Sequence, residues 1–102
     1  MESAVVYKLR LYITPQTTNS QRAVANLDAL CQEDLPVRLD VEIIDVTAQP
    51  ALAERDKILA TPTLVRQVPP PVRKIIGDLS DRERVLSSLD LQPVMIGRSR
   101  RV

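Results

Sequence analysis

Cys31 is the only cysteine in this 102-residue chain, and the sequence contains no histidine. Together those facts remove whole classes of chemistry. A Ser-His-Asp or Cys-His nucleophile has no base, an internal disulfide has no second sulfur, and a zinc site has no imidazole and one thiolate. Ala23, Val24, Leu27, Leu30 and Cys31 fall at helical spacing, so the cysteine reads as a small core residue rather than a reactive thiol. Thr61-Pro62-Thr63 interrupts an apolar stretch. Proline has no amide hydrogen, so Pro62 belongs at a strand start, on an edge or in a cis turn. Basic residues number 14 against 13 acidic, and Arg98, Arg100 and Arg101 stand among the last five positions. Without those three the body is slightly acidic, and Tyr7 and Tyr12 are its only aromatics. That makes a poor platform for nucleic acid.

Periodicity supplies the elements that must place these residues. Residues 5–13 alternate, with Tyr7, Leu9, Leu11 and Ile13 on one face and Lys8, Arg10 and Tyr12 on the other, which predicts a strand. After the loop Thr14-Pro15-Gln16-Thr17-Thr18-Asn19 the period becomes helical, with Thr18 and Gln21 as a capping box and Pro36 limiting the far end. Residues 39–46 form a second strand, with Leu39, Val41 and Ile43 opposite in face to Asp40 and Glu42. A strand–helix–strand unit of this length predicts a parallel pair with a right-handed crossover. Lys8 and Arg10 can then meet Asp40 and Glu42, each contact adding about 0.2–1 kcal/mol. Pro50 opens a short helix to about Asp56, residues 58–68 are apolar, and Pro69-Pro70-Pro71 reads as a stiff extended connector. Ser80-Asp81-Arg82-Glu83 is a capping box for a last helix with Val85, Leu86 and Leu89 on its stripe.

The order strand, helix, strand, short helix, strand, strand, helix is an α/β arrangement of thioredoxin-like type within residues 1–92. Residues 93–102 are expected to form a flexible basic tail. Redox members of that fold need two cysteines two residues apart at the start of the first helix. Residues 16–20 hold that place here without sulfur, so Pro62 would serve architecture or docking in the fold's cis-proline turn. Two stretches conflict with the order. Val72, Ile75, Ile76 and Leu79 have helical spacing where a strand is required, whereas Leu89, Leu91, Pro93 and Met95 alternate like a strand. Either tertiary packing overrides one pattern, or the second half supports two packings of similar free energy. Ser88 and Asp90 bear on that choice. Asp90 would put a negative charge at a helix C-terminus, unfavourable by about 0.3–1 kcal/mol, and serine is a poorer helix former than alanine. Asp90→Arg, alone or with Ser88→Ala, is expected to favour the thioredoxin-like packing.

The run Asp56-Lys57-Ile58-Leu59-Ala60-Thr61-Pro62-Thr63-Leu64, followed by Pro69-Pro70-Pro71-Val72-Arg73-Lys74-Ile75-Ile76-Gly77-Asp78-Leu79-Ser80, resembles the KaiB family of cyanobacterial clock proteins. The likeness extends from about Tyr7 to Leu91. It implies a non-enzymatic regulator, without cofactors, that binds the first ATPase ring of a KaiC-type hexamer. It also implies two folds, a tetrameric ground state and a thioredoxin-like monomer competent for KaiC. Capture of KaiA, competition with the SasA kinase and recruitment of CikA belong to the same implication. Arg22, Lys57, Arg73 and Lys74 match family positions that are basic and implicated in partner contact. The chain departs from the family at Pro15-Gln16-Thr17-Thr18, at Ser88 where glycine is common, and in its basic rather than acidic tail.

The leading expectation is therefore an interaction module for a KaiC-like ATPase. The alternative is a redox-inert thioredoxin-like sensor domain of a SasA-like histidine kinase system. No apolar run approaches the roughly 18 residues needed to span a bilayer, and no signal peptide is evident, so a cytoplasmic protein is expected.

Overall fold

The computed structural model describes residues 5–91. Its elements are β1 (Val6–Ile13), α1 (Thr18–Cys31), β2 (Arg38–Asp45), α2 (Pro50–Arg55), β3 (Thr63–Val68), β4 (Arg73–Ile76) and α3 (Arg82–Ser88). The strands form one sheet in the order β2-β1-β3-β4, with β1 and β2 parallel and the other neighbours antiparallel. This is the predicted thioredoxin-like order.

Side-chain alternation along β1 sets the two faces. Tyr7, Leu9, Leu11 and Ile13 join Ala23, Leu27 and Leu30 of α1 and Val85 and Leu86 of α3 in the main core. Tyr12 points the other way and packs with Ile44, Val65 and, from α2, Leu52 and Ala53. So α1 and α3 cover one face and the short α2 covers part of the other. Lys8 pairs with Asp40 and Arg10 with Glu42 in the parallel register, and the Arg10 Nε–Glu42 Oε1 distance is 3.1 Å. The expected charge complementarity is present.

Three local expectations are corrected, and the conflict at residues 72–79 resolves in favour of the strand that the predicted order requires. Thr17, not Thr18, caps α1, its hydroxyl accepting from the Ser20 amide at 3.2 Å. Asp81, not Ser80, caps α3, accepting from the Arg84 amide at 3.1 Å. In both cases the extended residue immediately before the first helical turn is the one whose side chain can reach back to the free amides. Pro69-Pro70-Pro71 does not run as an extended connector; it reverses the chain so that Arg66 stands opposite Arg73. The helical spacing of residues 72–79 yields to strand pairing, which buries Ile75 in the main core. Tertiary packing outweighs local periodicity there.

Cys31 is the fourth correction. It is exposed at the end of α1, where it lines a shallow groove with Val24, Val41 and Ile43. The stripe through Ala23, Leu27 and Leu30 is buried, but Cys31 lies at its rim. Pro93, Met95 and the basic tail of residues 93–102 lie outside the described residues.

Candidate partner-binding face

The place that holds a sulfur pair in a redox thioredoxin holds hydroxyls here. Ser20 is fully buried and its Oγ accepts from the Thr14 amide at 3.0 Å. Thr14 Oγ1 lies 2.6 Å from Thr61 Oγ1, beside the Thr61–Pro62 bond, which is cis. These groups tie the start of α1 to the loop before β3. Cys31 is far along α1 from that point, and partial burial, then the Asp28 carboxylate, push its thiol pKa up. A thiol held protonated is a weak nucleophile.

Basic residues gather instead where α2 ends. α2 closes with a Schellman turn: Lys57 has φ 57, its amide donates to the Glu54 carbonyl at 3.0 Å, and the Ile58 amide donates to the Ala53 carbonyl at 2.9 Å. The Asp56 carboxylate anchors this turn to the sheet. It accepts from the Tyr12 hydroxyl, from Gln67 Nε2 at 3.1 Å, and lies 3.5 Å from Arg10 Nη1. Burial, then the Asp56 hydrogen bond, raise the Tyr12 pKa, so the phenol stays a donor. Lys74 Nζ, from β4, donates to the Asp56 and Lys57 carbonyls at 2.5 and 3.3 Å. A cation at these carbonyls complements the helix C-terminus.

The result is a cavity of about 270 Å³ lined by Arg55, Lys57 and Lys74, the Asp56 carboxylate, Val65, Gln67 and Val72, with the cations in the majority. The six-residue α2 does not reach the outer face of β4, so Val72 is 59% and Ile76 57% exposed. Leu59, two residues past Lys57, is 96% exposed. Apolar side chains next to exposed cations form the mixture found at protein–protein contacts, with the aliphatic residues supplying buried area and the charges steering approach.

Of the four predicted basic contacts, Lys57 and Lys74 come together on this face. Arg73 does not, because alternation along β4 turns it with Ile75 toward the α3 side, where its Nη2 lies 3.8 Å from Asp90 Oδ2. Arg22 stands exposed on α1 near Asp78, whose pKa is lowered chiefly by Ser80 and to a smaller degree by Arg22.

Ser88 and Asp90 also acquire definite positions. Ser88 is the last residue of α3, and Asp90 lies past the helix with φ 60. Its amide donates to the Ser87 carbonyl at 3.1 Å and the Leu91 amide to the Leu86 carbonyl at 2.7 Å, a second Schellman turn. The Asp90 carboxylate is 3.2 Å from Nη1 of Arg66. Arg66 was not among the predicted site residues, although it shares strand parity with the buried Leu64. A charge at a core position of that alternation was the signal available in the sequence.

A thioredoxin-like α/β domain without the redox cysteine pair, carrying a basic and apolar surface beside α2, is the class of protein these features define. The N-terminal domain of Synechococcus elongatus SasA superposes with a TM-score of 0.69 at 24% identity, covering 94% of each chain. The thioredoxin Deadhead of Drosophila melanogaster gives a TM-score of 0.68 at 16% identity, over 82% of this chain and 78% of that one. Both likenesses concern the fold. The KaiB domain model matches residues 10–91, and the circadian clock protein KaiB3 of a Synechocystis strain is 55% identical over 85 residues, 83% of each chain. The chain belongs to the KaiB family.

Proposed function

We propose that this chain is a non-enzymatic clock-type regulator that binds the ATPase ring of a KaiC-like hexamer and so modulates its phosphorylation state and output signalling. The observation that carries the reading is the pairing of Lys57 and Lys74 beside exposed Val72 and Ile76, in a chain of the KaiB family. Arg22 and Arg73 are proposed as separate contacts on other faces of the domain. KaiA and kinases of the SasA and CikA type are further proposed partners, and the free protein is proposed to be a cytoplasmic homo-oligomer.

The test is association with a purified KaiC homologue in the presence of ATP or ADP. Lys57→Ala and Arg73→Ala should each slow association and weaken its salt dependence while the variants remain folded. Unchanged affinity and association rate at low salt for both would sink the assignment. The likeness to the SasA N-terminal domain motivates a second reading, a sensor module for a histidine kinase. Binding to an isolated kinase core with none to the ATPase ring would favour that alternative.

A further inference from the structure

On the α2 side, a row of polar contacts crosses the whole sheet. Glu42, Arg10, Val65 and Lys74 stand directly opposite one another across β2, β1, β3 and β4. Tyr12 and Gln67 lie two residues along from Arg10 and Val65, on the same face. Arg10 Nε reaches Glu42 Oε1 at 3.1 Å, and its Nη1 donates to the Tyr12 hydroxyl oxygen at 3.4 Å. The Tyr12 hydroxyl in turn donates to Asp56, whose Oδ2 also accepts from Gln67 Nε2 at 3.1 Å. Asp56 is the residue immediately before Lys57.

This row decides where the cations stand. α2 has no fully buried residue, and Leu52, Ala53 and Ile58 are only partly buried against Tyr12, Ile44 and Val65. Apolar contact is non-directional, so it sets the depth of the helix on the sheet rather than the aim of its last turn. Hydrogen bonds supply the aim, because donor and acceptor must lie nearly in line. Lys57 follows at once with φ 57, so the Asp56 carboxylate is the last anchored group before that side chain leaves the surface. Lys74 Nζ is bound to the carbonyls of Asp56 and Lys57, so a shift of the turn moves the second ammonium as well. Tyr12 is wholly buried, whereas Arg10, the other β1 contact of Asp56, is shared with Glu42. No neighbouring donor duplicates the tyrosine hydroxyl.

We propose that Tyr12 is a positioning residue for partner binding: acting through Asp56, its hydroxyl fixes the turn after α2 and with it both Lys57 and Lys74. The proposal rests on the ATPase-ring reading above and adds to it a residue that cannot itself touch the partner.

Tyr12→Phe keeps the aromatic ring and its packing and deletes the hydroxyl. In the free full chain, amide hydrogen exchange at Lys57 and Ile58 should quicken about tenfold, the equivalent of one hydrogen bond to a charged group. Leu27 and Leu30 of α1 should be unchanged. Binding to a purified KaiC homologue at low salt should weaken by about three- to tenfold. A double-mutant cycle separates positioning from general loosening. In a chain already carrying Lys57→Ala and Lys74→Ala, Tyr12→Phe should cost no further affinity. A loss of the same size in that background, an unchanged affinity for Tyr12→Phe alone, or unchanged exchange at Lys57 and Ile58 would each overturn the proposal. The ATPase-ring reading of the two lysines fails differently, through a Lys57→Ala, Lys74→Ala chain that binds as the wild type does, and the proposal falls with it. If Tyr12→Phe does not fold, Asp56→Asn, which keeps the shape of the side chain and drops its charge, decides by the same criteria.

Discussion

Lys57→Gly should strengthen the fold and weaken the function. Lys57 occupies the left-handed region at φ 57, in the turn position that glycine usually fills. A side chain there costs about 1–2 kcal/mol. Glycine forfeits about 0.5–1 kcal/mol through its larger freedom in the unfolded chain. The difference leaves a net gain of roughly 0.5–1 kcal/mol, or about 2–8 °C in Tm for a domain of this size. The turn's hydrogen bonds, from the Lys57 and Ile58 amides to the Glu54 and Ala53 carbonyls, are backbone bonds and survive the change. What disappears is the exposed ammonium. Urea and thermal unfolding measure the first effect; association with a KaiC-like ring at two salt concentrations measures the second. Lys57→Ala should lose the binding without gaining the stability, because alanine retains the backbone strain. A fall in stability for Lys57→Gly would refute the backbone argument. A rise in stability with an unaltered association rate would show that the ammonium makes no contact with the partner.

Asp90→Arg is expected to lower the stability of this fold by about 1–3 kcal/mol in urea unfolding, because it removes a charged acceptor from buried Arg66 and adds a third guanidinium beside Arg66 and Arg73; increased stability would contradict the ion-pair role. Cys31→Ser should shift stability by no more than about 0.5 kcal/mol, since the residue is exposed, and should preserve partner binding. Alkylation of the wild-type thiol should be slow near neutrality and quicken only in alkaline solution, because desolvation by the groove it lines, then Asp28, raise its pKa. Glu33 is held below the usual carboxylate range by its hydrogen bonds from Arg82, which join the turn after α1 to α3. A lowered folded pKa stabilises above the unfolded value of about 4.3 and the contribution is lost as pH falls through the folded value. Glu33→Gln should therefore flatten the acid limb of α3 unfolding followed by exchange; an identical limb would mean that this exposed pair contributes nothing.

The fold was legible where pattern and pairing agree. Alternation in β1 separated Leu9 and Leu11 from Arg10 and Tyr12, and the parallel register then brought Arg10 to Glu42 as the charges required. Pro50 at the first turn of α2 was readable because its fixed φ and missing amide suit only that end of a helix. The caps slipped by one residue because neighbouring Thr17 and Thr18, or Ser80 and Asp81, are comparably good N-cap candidates. Backbone angles choose between them, and those are set by the approach of the chain to the core. Cys31 misled for a related reason: a helical stripe gives a direction, but the width of the sheet beneath it decides which positions are covered. At the edge formed by β2, half-exposed Val41 and exposed Ile43 leave the last stripe position open.

The candidate site divides along the same line. Lys57 and Lys74 are 17 residues apart, and no local rule joins them; β3–β4 pairing and the Schellman turn bring them together. Asp90 marks where local reasoning reverses sign. Taken alone, a carboxylate just past a helix C-terminus opposes the dipole by about 0.3–1 kcal/mol. In place, it neutralises a buried guanidinium 24 residues away in sequence, an interaction of larger magnitude. The two contributions belong to different levels of structure, and only the smaller is visible in the sequence. Strand parity nevertheless held the clue: Leu64 and Arg66 share the core face, so a buried cation needed an anion. Among the acidic residues near the C-terminus, Asp90 was the one whose own position lacked a local reason.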